Sequence, residues 1–232
     1  MDSRTALVTG SARGIGRAIA DRLASAGYSV IGVDIAADAP PETLRYDLTS
    51  WNACHELISA VPAIDVLVNN AAVLIEKSPI DITETDFHTM LALNLRAPFL
   101  LTRGYIPAMQ RRHRGRVINV SSVSARTGGF AATGVYAASK AGLIALTKYF
   151  ARLAAQDGIT VNAVAPGAID APMAQAQVQR EPRLIDEIPK LVPARRWGQP
   201  DEVANLVAFL ASDEAAFING VTVDINGGWV MT

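Results

Sequence analysis

Half of the 232 residues are hydrophobic, which is enough to bury one large core, and nothing in the length requires a second domain. Lys and Arg number 21 against 22 Asp and Glu, so the formal net charge is -1. A chain without excess positive charge has no overall field to hold nucleic acid, and we expect a small-molecule partner instead.

Cysteine, histidine and hydropathy patterns exclude further classes. Cys54 is the only cysteine, which rules out an intrachain disulfide and a multi-cysteine metal site. His55, His88 and His113 lack the spacing of metal ligands, so we expect no metal. The sequence shows neither an apolar run of membrane-spanning length nor the pattern of a secretory signal, so the expected location is the cytoplasm, with no membrane partner.

Short runs rich in Val and Ile alternate with longer segments of helical periodicity, which predicts βα units around a parallel sheet. We expect a single α/β domain over residues 1–232: a doubly wound Rossmann domain with a seven-stranded parallel sheet and helices on both faces. The predicted strands are 5–9, 29–34, 43–47, 65–69, 116–120, 160–165 and 222–224.

Helices are predicted to fill the intervals between these strands. The first begins at Gly14 and ends before Gly27, a typical C-terminal glycine. Thr83 opens a long helix with a capping-box pattern, and Pro98 and Pro107 should kink it. Another helix is predicted from about 136 to 155.

A glycine-rich turn follows the first predicted strand and opens the first predicted helix. Its glycines have the spacing G-x-x-x-G-x-G. Such glycines allow a sharp turn and a close approach of backbone to a pyrophosphate, while the helix N-terminus presents free N–H groups to the anion. The setting of strand, turn and helix predicts a dinucleotide site. Its candidate binding residues are Gly10, Ser11, Arg13, Gly14, Ile15 and Gly16.

Asp34 ends the second predicted strand, where a carboxylate can accept hydrogen bonds from both hydroxyls of an adenosine ribose and would repel a 2′-phosphate. We therefore expect NAD rather than NADP, although Arg13 could reach a phosphate. Asp47 and Leu48 are weaker cofactor candidates at the end of the third strand. Asp before a Thr-Ser helix start forms a local turn just as readily.

Tyr136 and Lys140 lie four residues apart in a predicted helix, so both side chains project from one face. A phenol has an ordinary pKa of about 10 and is a poor base near neutrality, whereas a neighbouring ammonium favours its ionised form. We therefore expect Lys140 to lower the pKa of Tyr136, which would then exchange a proton with an alcohol or carbonyl oxygen.

Two further polar residues complete the predicted catalytic group. Ser122 ends a strand, where its hydroxyl would hydrogen-bond a developing alkoxide. Asn94 stands within an apolar helical pattern and needs a partner if it is buried. A water-linked contact toward Lys140 would supply one.

Together these motifs resemble the short-chain dehydrogenase/reductase family over nearly the whole chain. The resemblance implies a catalytic tetrad of Asn94, Ser122, Tyr136 and Lys140, with Lys140 on the nicotinamide ribose. It also implies a homotetramer packed through long helices near 83–113 and 136–157. The remaining cofactor contacts implied by the resemblance come from Asn70, Ala71, Ala72, Tyr136, Pro166, Gly167 and the backbone of Ile169.

The sequence departs from the family pattern at several positions. Ser122 stands fourteen residues before Tyr136, one more than expected, so Ser121 or Ser124 could substitute for it. Ala171 stands where relatives commonly have Thr, and Asn226 where they usually have Asp. The stretch between 47 and 65 is also short.

The predicted function is the reversible NAD-linked interconversion of a secondary alcohol and a ketone. A sugar or polyol dehydrogenase and a 3-oxoacyl thioester reductase are alternatives within the same chemistry. A non-catalytic NAD-binding protein is the alternative from another class, and the complete tetrad argues against it. A serine hydrolase would need a histidine base and a nucleophile elbow at Ser122, and the sequence offers neither.

The proline-punctuated stretch 172–200 is predicted to be a mobile insertion, of which residues 172–198 form a substrate lid. Its basic side chains could select an acidic substrate. A solvated charged face is the interpretation that surface composition favours.

Overall fold

A single parallel sheet organises residues 4–129 and 133–231, the part of the chain that this computed structural model describes. Its strand order is β3-β2-β1-β4-β5-β6-β7, and every pairing is parallel. The predicted doubly wound α/β fold is therefore confirmed. The strands are β1 (Thr5–Thr9), β2 (Ser29–Asp34), β3 (Leu44–Arg45), β4 (Val66–Asn69), β5 (Gly115–Val120), β6 (Ile159–Pro166) and β7 (Thr222–Ile225).

Helices cover both faces of this sheet. One apolar core packs α1 and α9 against it, and the other packs α2, α4 and α6. Because β4, β5 and β6 lie between the two layers, every one of their residues is buried. The helices are α1 (Gly14–Ser25), α2 (Trp51–Ala60), α3 (Glu84–Leu91), α4 (Ala97–Arg111), α5 (Ser124–Thr127), α6 (Gly134–Ala154), α7 (Pro172–Arg180), α8 (Leu184–Leu191) and α9 (Pro200–Ala211).

The connection from β2 to β3 is a loop, residues 35–43, and here the prediction that helices fill the intervals is wrong. A helical crossover between parallel strands needs about a dozen residues, and this connection is shorter. Pro40 and Pro41 also remove two backbone donors from it. The edge strand β3 is consequently brief, pairing only Leu44 with Val33 and Arg45 with Asp34.

The long helix predicted from Thr83 begins as expected but is divided. Thr83 accepts a hydrogen bond from the Asp86 backbone at 3.1 Å, and the Asp86 carboxylate accepts one from the Thr83 backbone at 3.0 Å. The interruption is a π-helical turn at Ala92–Arg96 rather than a proline kink. Pro98 lies in the first turn of α4, where a missing N–H costs little. The π turn surrounds Asn94, and such turns often mark functional positions.

The two ends of the predicted insertion pair with each other. Ile169 and Gly198 form a parallel bridge, in which the Gly198 N–H donates to Ala168 at 2.8 Å and the Asp170 N–H donates to Gly198 at 2.8 Å. Between these points the chain forms α7 and α8, so the segment is more regular than its sequence indicates.

None of the helices in the described part of the chain is long and apolar enough to span a bilayer. The same residues contain no group of three or more His, Cys, Asp or Glu side chains that could hold a metal ion. Cys54 is buried, with its thiol 3.6 Å from the Leu48 carbonyl.

Candidate active site

The site lies where β1 and β4 adjoin, because the crossovers on the two sides of this point run in opposite directions and leave a crevice at the carboxyl ends of the strands. The loops that follow the two strands are joined directly. The Asn70 side-chain amide donates to the carbonyls of Thr9 at 2.9 Å and Gly10 at 3.0 Å. The Thr9 hydroxyl oxygen accepts the backbone N–H groups of Asn70 and Ala71, both at 3.0 Å.

The three glycine positions of the turn do not accommodate side chains. Gly10 and Gly14 have φ angles of +67° and +57°, in the region that favours glycine. A Cβ on Gly16 would lie 1.9 Å from the Gly10 carbonyl oxygen. No side chain in the described part of the chain caps the N-terminus of α1 at Arg13, so the first N–H groups of this helix are available to a ligand. This uncapped helix end on a bare backbone turn fits the pyrophosphate of a dinucleotide.

Asp34 is fixed beside this turn by backbone donors. One carboxylate oxygen accepts the Ala12 N–H at 2.9 Å, and the other accepts the N–H groups of Ile35 at 2.7 Å and Ala36 at 3.0 Å. The carboxylate therefore lies against the glycine turn at the end of β2. Its contact with a ribose stays a prediction.

The side chains of three predicted cofactor contacts, Ser11, Asp47 and Leu48, contact other parts of this chain. The buried Ser11 hydroxyl lies against β2, only 2.5 Å from where a Cβ on Gly32 would be. Asp47 accepts hydrogen bonds from the Thr49 N–H at 2.9 Å and the Thr49 hydroxyl at 2.7 Å. Asp47 thus forms the local turn that the sequence left open, and Leu48 is buried in the core.

Helix α6 brings the predicted tyrosine and lysine to the end of β5. The Lys140 Nζ lies 5.7 Å from the centre of the Tyr136 ring and donates to the Val120 carbonyl at 2.7 Å. The Ser122 hydroxyl lies near enough to the Tyr136 phenol to favour its ionised form. Of the neighbouring serines, Ser121 donates to the Lys140 carbonyl at 2.9 Å, and the backbone N–H of Ser124 donates to Ser122 at 3.1 Å.

Burial sets the charge state of this pair. Burial raises the pKa of Tyr136 to about 12, and the nearby Ser122 hydroxyl opposes the rise only in part. The same burial lowers the pKa of Lys140 to about 7. The expectation that Lys140 lowers the pKa of Tyr136 is therefore wrong for the chain by itself, because removal from water disfavours both charged forms. At neutral pH Tyr136 is a phenol that can donate its proton.

Asn94 links the loop after β4 to helix α6. Its amide group donates to the Val73 carbonyl at 2.9 Å and to the Ser139 hydroxyl at 3.1 Å, and its oxygen accepts the Val73 N–H at 2.9 Å. Ser139 in turn donates to the Tyr136 carbonyl at 2.6 Å. Val73 and Ser139 are not among the predicted site residues, although a serine on the buried face of an apolar helix is a signal for a polar partner. The water-linked contact with Lys140 stays a prediction.

The turn after β6 connects the tetrad to the glycine turn. The Pro166 carbonyl accepts the Val123 N–H at 2.9 Å, which places it next to Ser122. The chain then passes Gly167 and the buried Ile169 and reaches α7. At the start of α7, the Pro172 Cδ lies 2.8 Å from where a Cβ on Gly14 would be.

Most basic side chains of the predicted lid form ion pairs with carboxylates of this chain. Arg180 pairs with Glu76, Arg183 with Glu181 and Glu187, and Arg196 with Glu202. These pairs favour the interpretation of the lid as a charged surface rather than a receptor for an acidic substrate.

Known proteins resemble the chain over its whole length. A family model described as enoyl-(acyl carrier protein) reductase matches residues 10–230. The acetoacetyl-CoA reductase of Shinella zoogloeoides is 40% identical over 97% of this chain and 98% of its own length. The 3-oxoacyl-[acyl-carrier-protein] reductase FabG of Vibrio cholerae is 38% identical over 100% of this chain and 99% of its own.

A solved structure gives the same result. A Beutenbergia cavernae protein assigned as an NAD(P)-dependent gluconate 5-dehydrogenase, crystallised with NADP at low occupancy, superposes with a TM-score of 0.93 at 30% identity. The superposition covers 99% of this chain and 97% of that one. These whole-length matches agree with the glycine turn and the Ser-Tyr-Lys geometry, and the chain belongs to the short-chain dehydrogenase/reductase family of NAD(P)-dependent oxidoreductases.

Proposed function

We propose that this enzyme interconverts a secondary alcohol and a ketone, with Tyr136 as the general acid and base. The observation that carries the proposal is the buried Tyr136 phenol, which lies near Ser122 at the carboxyl end of β5 and one helical turn from Lys140. Enzyme sites in open parallel sheets lie at these strand ends.

The cofactor-binding residues would be those that line the crevice from the glycine turn to the turn after β6. The bare turn at Gly10, Gly14 and Gly16 would hold the pyrophosphate, and the loop of Asn70 and Ala71 would lie along it. When bound, the dinucleotide supplies or accepts the hydride, and its oxidised ring adds a positive charge to the site.

The tetrad residues divide the remaining work. In the direction of reduction, Tyr136 donates its proton to the carbonyl oxygen, and its pKa of about 12 keeps that proton available at neutral pH. Ser122 donates a second hydrogen bond to the same oxygen as charge develops on it. Lys140, whose Nζ donates to the Val120 carbonyl, is the titratable cation beside Tyr136. Asn94 hydrogen-bonds to α6, the helix that carries both residues.

The proposed cofactor preference is for NAD over NADP. Three backbone N–H groups hold the Asp34 carboxylate at the end of β2, beside Ala12. A carboxylate fixed in that position can accept ribose hydroxyls and repels a 2′-phosphate. Arg13 lies in the same turn, and its positive charge opposes this preference because it would attract a 2′-phosphate.

A second candidate, the reduction of a 3-oxoacyl thioester, is supported by the whole-length similarity to the acetoacetyl-CoA and FabG reductases.

The homotetramer is also a proposal. Exposed apolar side chains at Phe87 on α3 and at Tyr149 and Leu153 on α6 support packing through these helices. The cytoplasmic location stays a prediction.

The test is a screen of reduced-nicotinamide absorbance with both cofactors. The substrates are secondary alcohols and cyclic ketones, polyols and gluconate, and acetoacetyl-CoA as the thioester. We expect turnover with at least one carbonyl or alcohol, and faster turnover with NAD or NADH. Binding of the dinucleotide without turnover of any substrate class would contradict the catalytic assignment and favour a non-catalytic NAD-binding protein.

A further inference from the structure

Glu76, in the loop after β4, reaches across to helix α7. Its two carboxylate oxygens accept hydrogen bonds from the Gln177 side-chain amide and the Arg180 guanidinium. The Glu76 side chain is 22% exposed and that of Arg180 is 59% exposed, so the contact lies at the rim of the site.

Helix α7 is attached to the body of the protein near both of its ends. Its first residue, Pro172, packs on Gly14 of the glycine turn, and its last turn meets Glu76. Within residues 4–129 and 133–231, no other side-chain hydrogen bond joins α7 or α8 to residues outside 170–198. The position of α7 therefore depends on Glu76 more than on any other polar side chain in that range.

The loop that carries Glu76 is itself well anchored. Three residues earlier, Val73 makes two backbone hydrogen bonds to Asn94. The next residue, Lys77, pairs with Asp86 of α3 at 2.6 Å. Glu76 thus projects from a loop that is linked to helix α6 through Asn94 and Ser139.

We propose that Glu76 is a positioning residue that holds α7 over the carboxyl end of the sheet and so closes the site on the dinucleotide. The proposal rests on the proposed function. Closure of this kind retains the ligand and excludes water. Because the contact is partly exposed, it can break and re-form during each cycle.

The experiment compares Glu76→Ala and Arg180→Ala with the charge-reversed pair Glu76→Arg with Arg180→Glu. Hydrogen exchange of the backbone amides of α7 is measured on the full chain, and the dissociation constant of NADH by its fluorescence. Glu187→Gln is the matched control, since it removes an ion pair with Arg183 that lies entirely within the lid.

We expect each single variant to speed exchange in α7 and to weaken NADH binding by about two- to fivefold, the range for a partly exposed ion pair. The charge-reversed pair should recover at least half of both effects, and Glu187→Gln should change neither. Because Arg180 is exposed, Arg180→Ala tests the contact even if Glu76→Ala fails to fold.

Unchanged exchange in α7 for both single variants would overturn the proposal, as would the absence of any recovery in the charge-reversed pair. Exchange requires no cofactor, so it separates this proposal from the proposed function. Faster exchange in a protein that binds neither NADH nor NADPH would support the contact at Glu76 while contradicting the oxidoreductase site.

Discussion

Tyr136, Lys140 and Asn94 are at most 8% exposed, whereas the Arg180 and Glu76 side chains that hold the lid are 59% and 22% exposed. In the catalytic centre, the tetrad's hydrogen-bond partners include buried residues and main-chain carbonyls, and a lost partner leaves a buried polar group unsatisfied. In the lid, water can replace each partner. The comparison indicates that the centre is built for fixed geometry and the lid for reversible contact. The following experiments test that difference, from the largest expected effect to the smallest.

Replacement of Tyr136 by Phe removes the transferable proton and leaves the ring in place beside Lys140. We expect kcat to fall by roughly 10²- to 10⁴-fold, the range for loss of a general acid or base. The dissociation constant for NADH should stay within about twofold, because Tyr136→Phe leaves the glycine turn untouched. Steady-state kinetics and NADH fluorescence measure the two quantities. Undiminished kcat would remove Tyr136 from the acid-base role.

Replacement of Gly16 by Ala places a methyl group where only 1.9 Å separates it from the Gly10 carbonyl oxygen. We expect a loss of about 1–3 kcal/mol in the free energy of unfolding, typical of overpacking, together with weaker dinucleotide binding. Gly134→Ala is the control, since among the described residues its added Cβ would meet no atom within 4 Å apart from its chain neighbours and its own helix backbone. Equal unfolding midpoints in urea for the two variants would show that the glycine turn can relax.

Replacement of Asp34 by Asn removes the charge but keeps an acceptor for the Ala12 N–H. We expect the preference for NAD over NADP, measured as the ratio of kcat/KM values, to shrink by about tenfold, roughly 1.4 kcal/mol. Asp34→Ala should show the same loss of preference together with lower stability, because the backbone donors lose their partner. A ratio that does not move in either variant would show that Asp34 does not discriminate between the cofactors.

The buried Lys140 should make stability depend on pH. Its folded pKa of about 7 lies below the ordinary value of 10.5, so between these values the unfolded chain binds a proton that the folded chain has lost. Stability of the wild type should therefore rise with pH relative to Lys140→Met, by about 1 kcal/mol between pH 7 and 8, and level off below pH 7. Urea unfolding at pH 6, 7 and 8 measures the difference. Parallel pH curves for the two proteins would contradict it.

Local features of the sequence were enough to predict most of the fold. Apolar runs mark β1 and β4–β6, since strands buried on both faces are mainly apolar. A similar run marks β2, which is mostly half-buried. The capping box at Thr83 and the glycine at Gly27 mark helix ends because each acts within one turn. The missing helix at 35–43 had a signal in Pro40 and Pro41, which the prediction did not use.

The site was predictable only where its geometry is local. Tyr136 and Lys140 meet because four residues make about one turn of helix. The partners of Asn94 are Val73 and Ser139, which lie in other parts of the chain, and no periodicity connects them with Asn94. The pKa directions of Tyr136 and Lys140 depend on how completely the folded chain excludes water, which spacing does not reveal.

The short connection between β2 and β3 has a practical consequence for engineering. It starts immediately after Asp34, and no residue from 35 to 43 is buried. Rewriting or lengthening this stretch would remove no core side chain, and loop length itself costs little in chain entropy. Residues 35–43 are therefore the place to graft a foreign recognition loop that retunes the choice of dinucleotide while the catalytic framework stays intact.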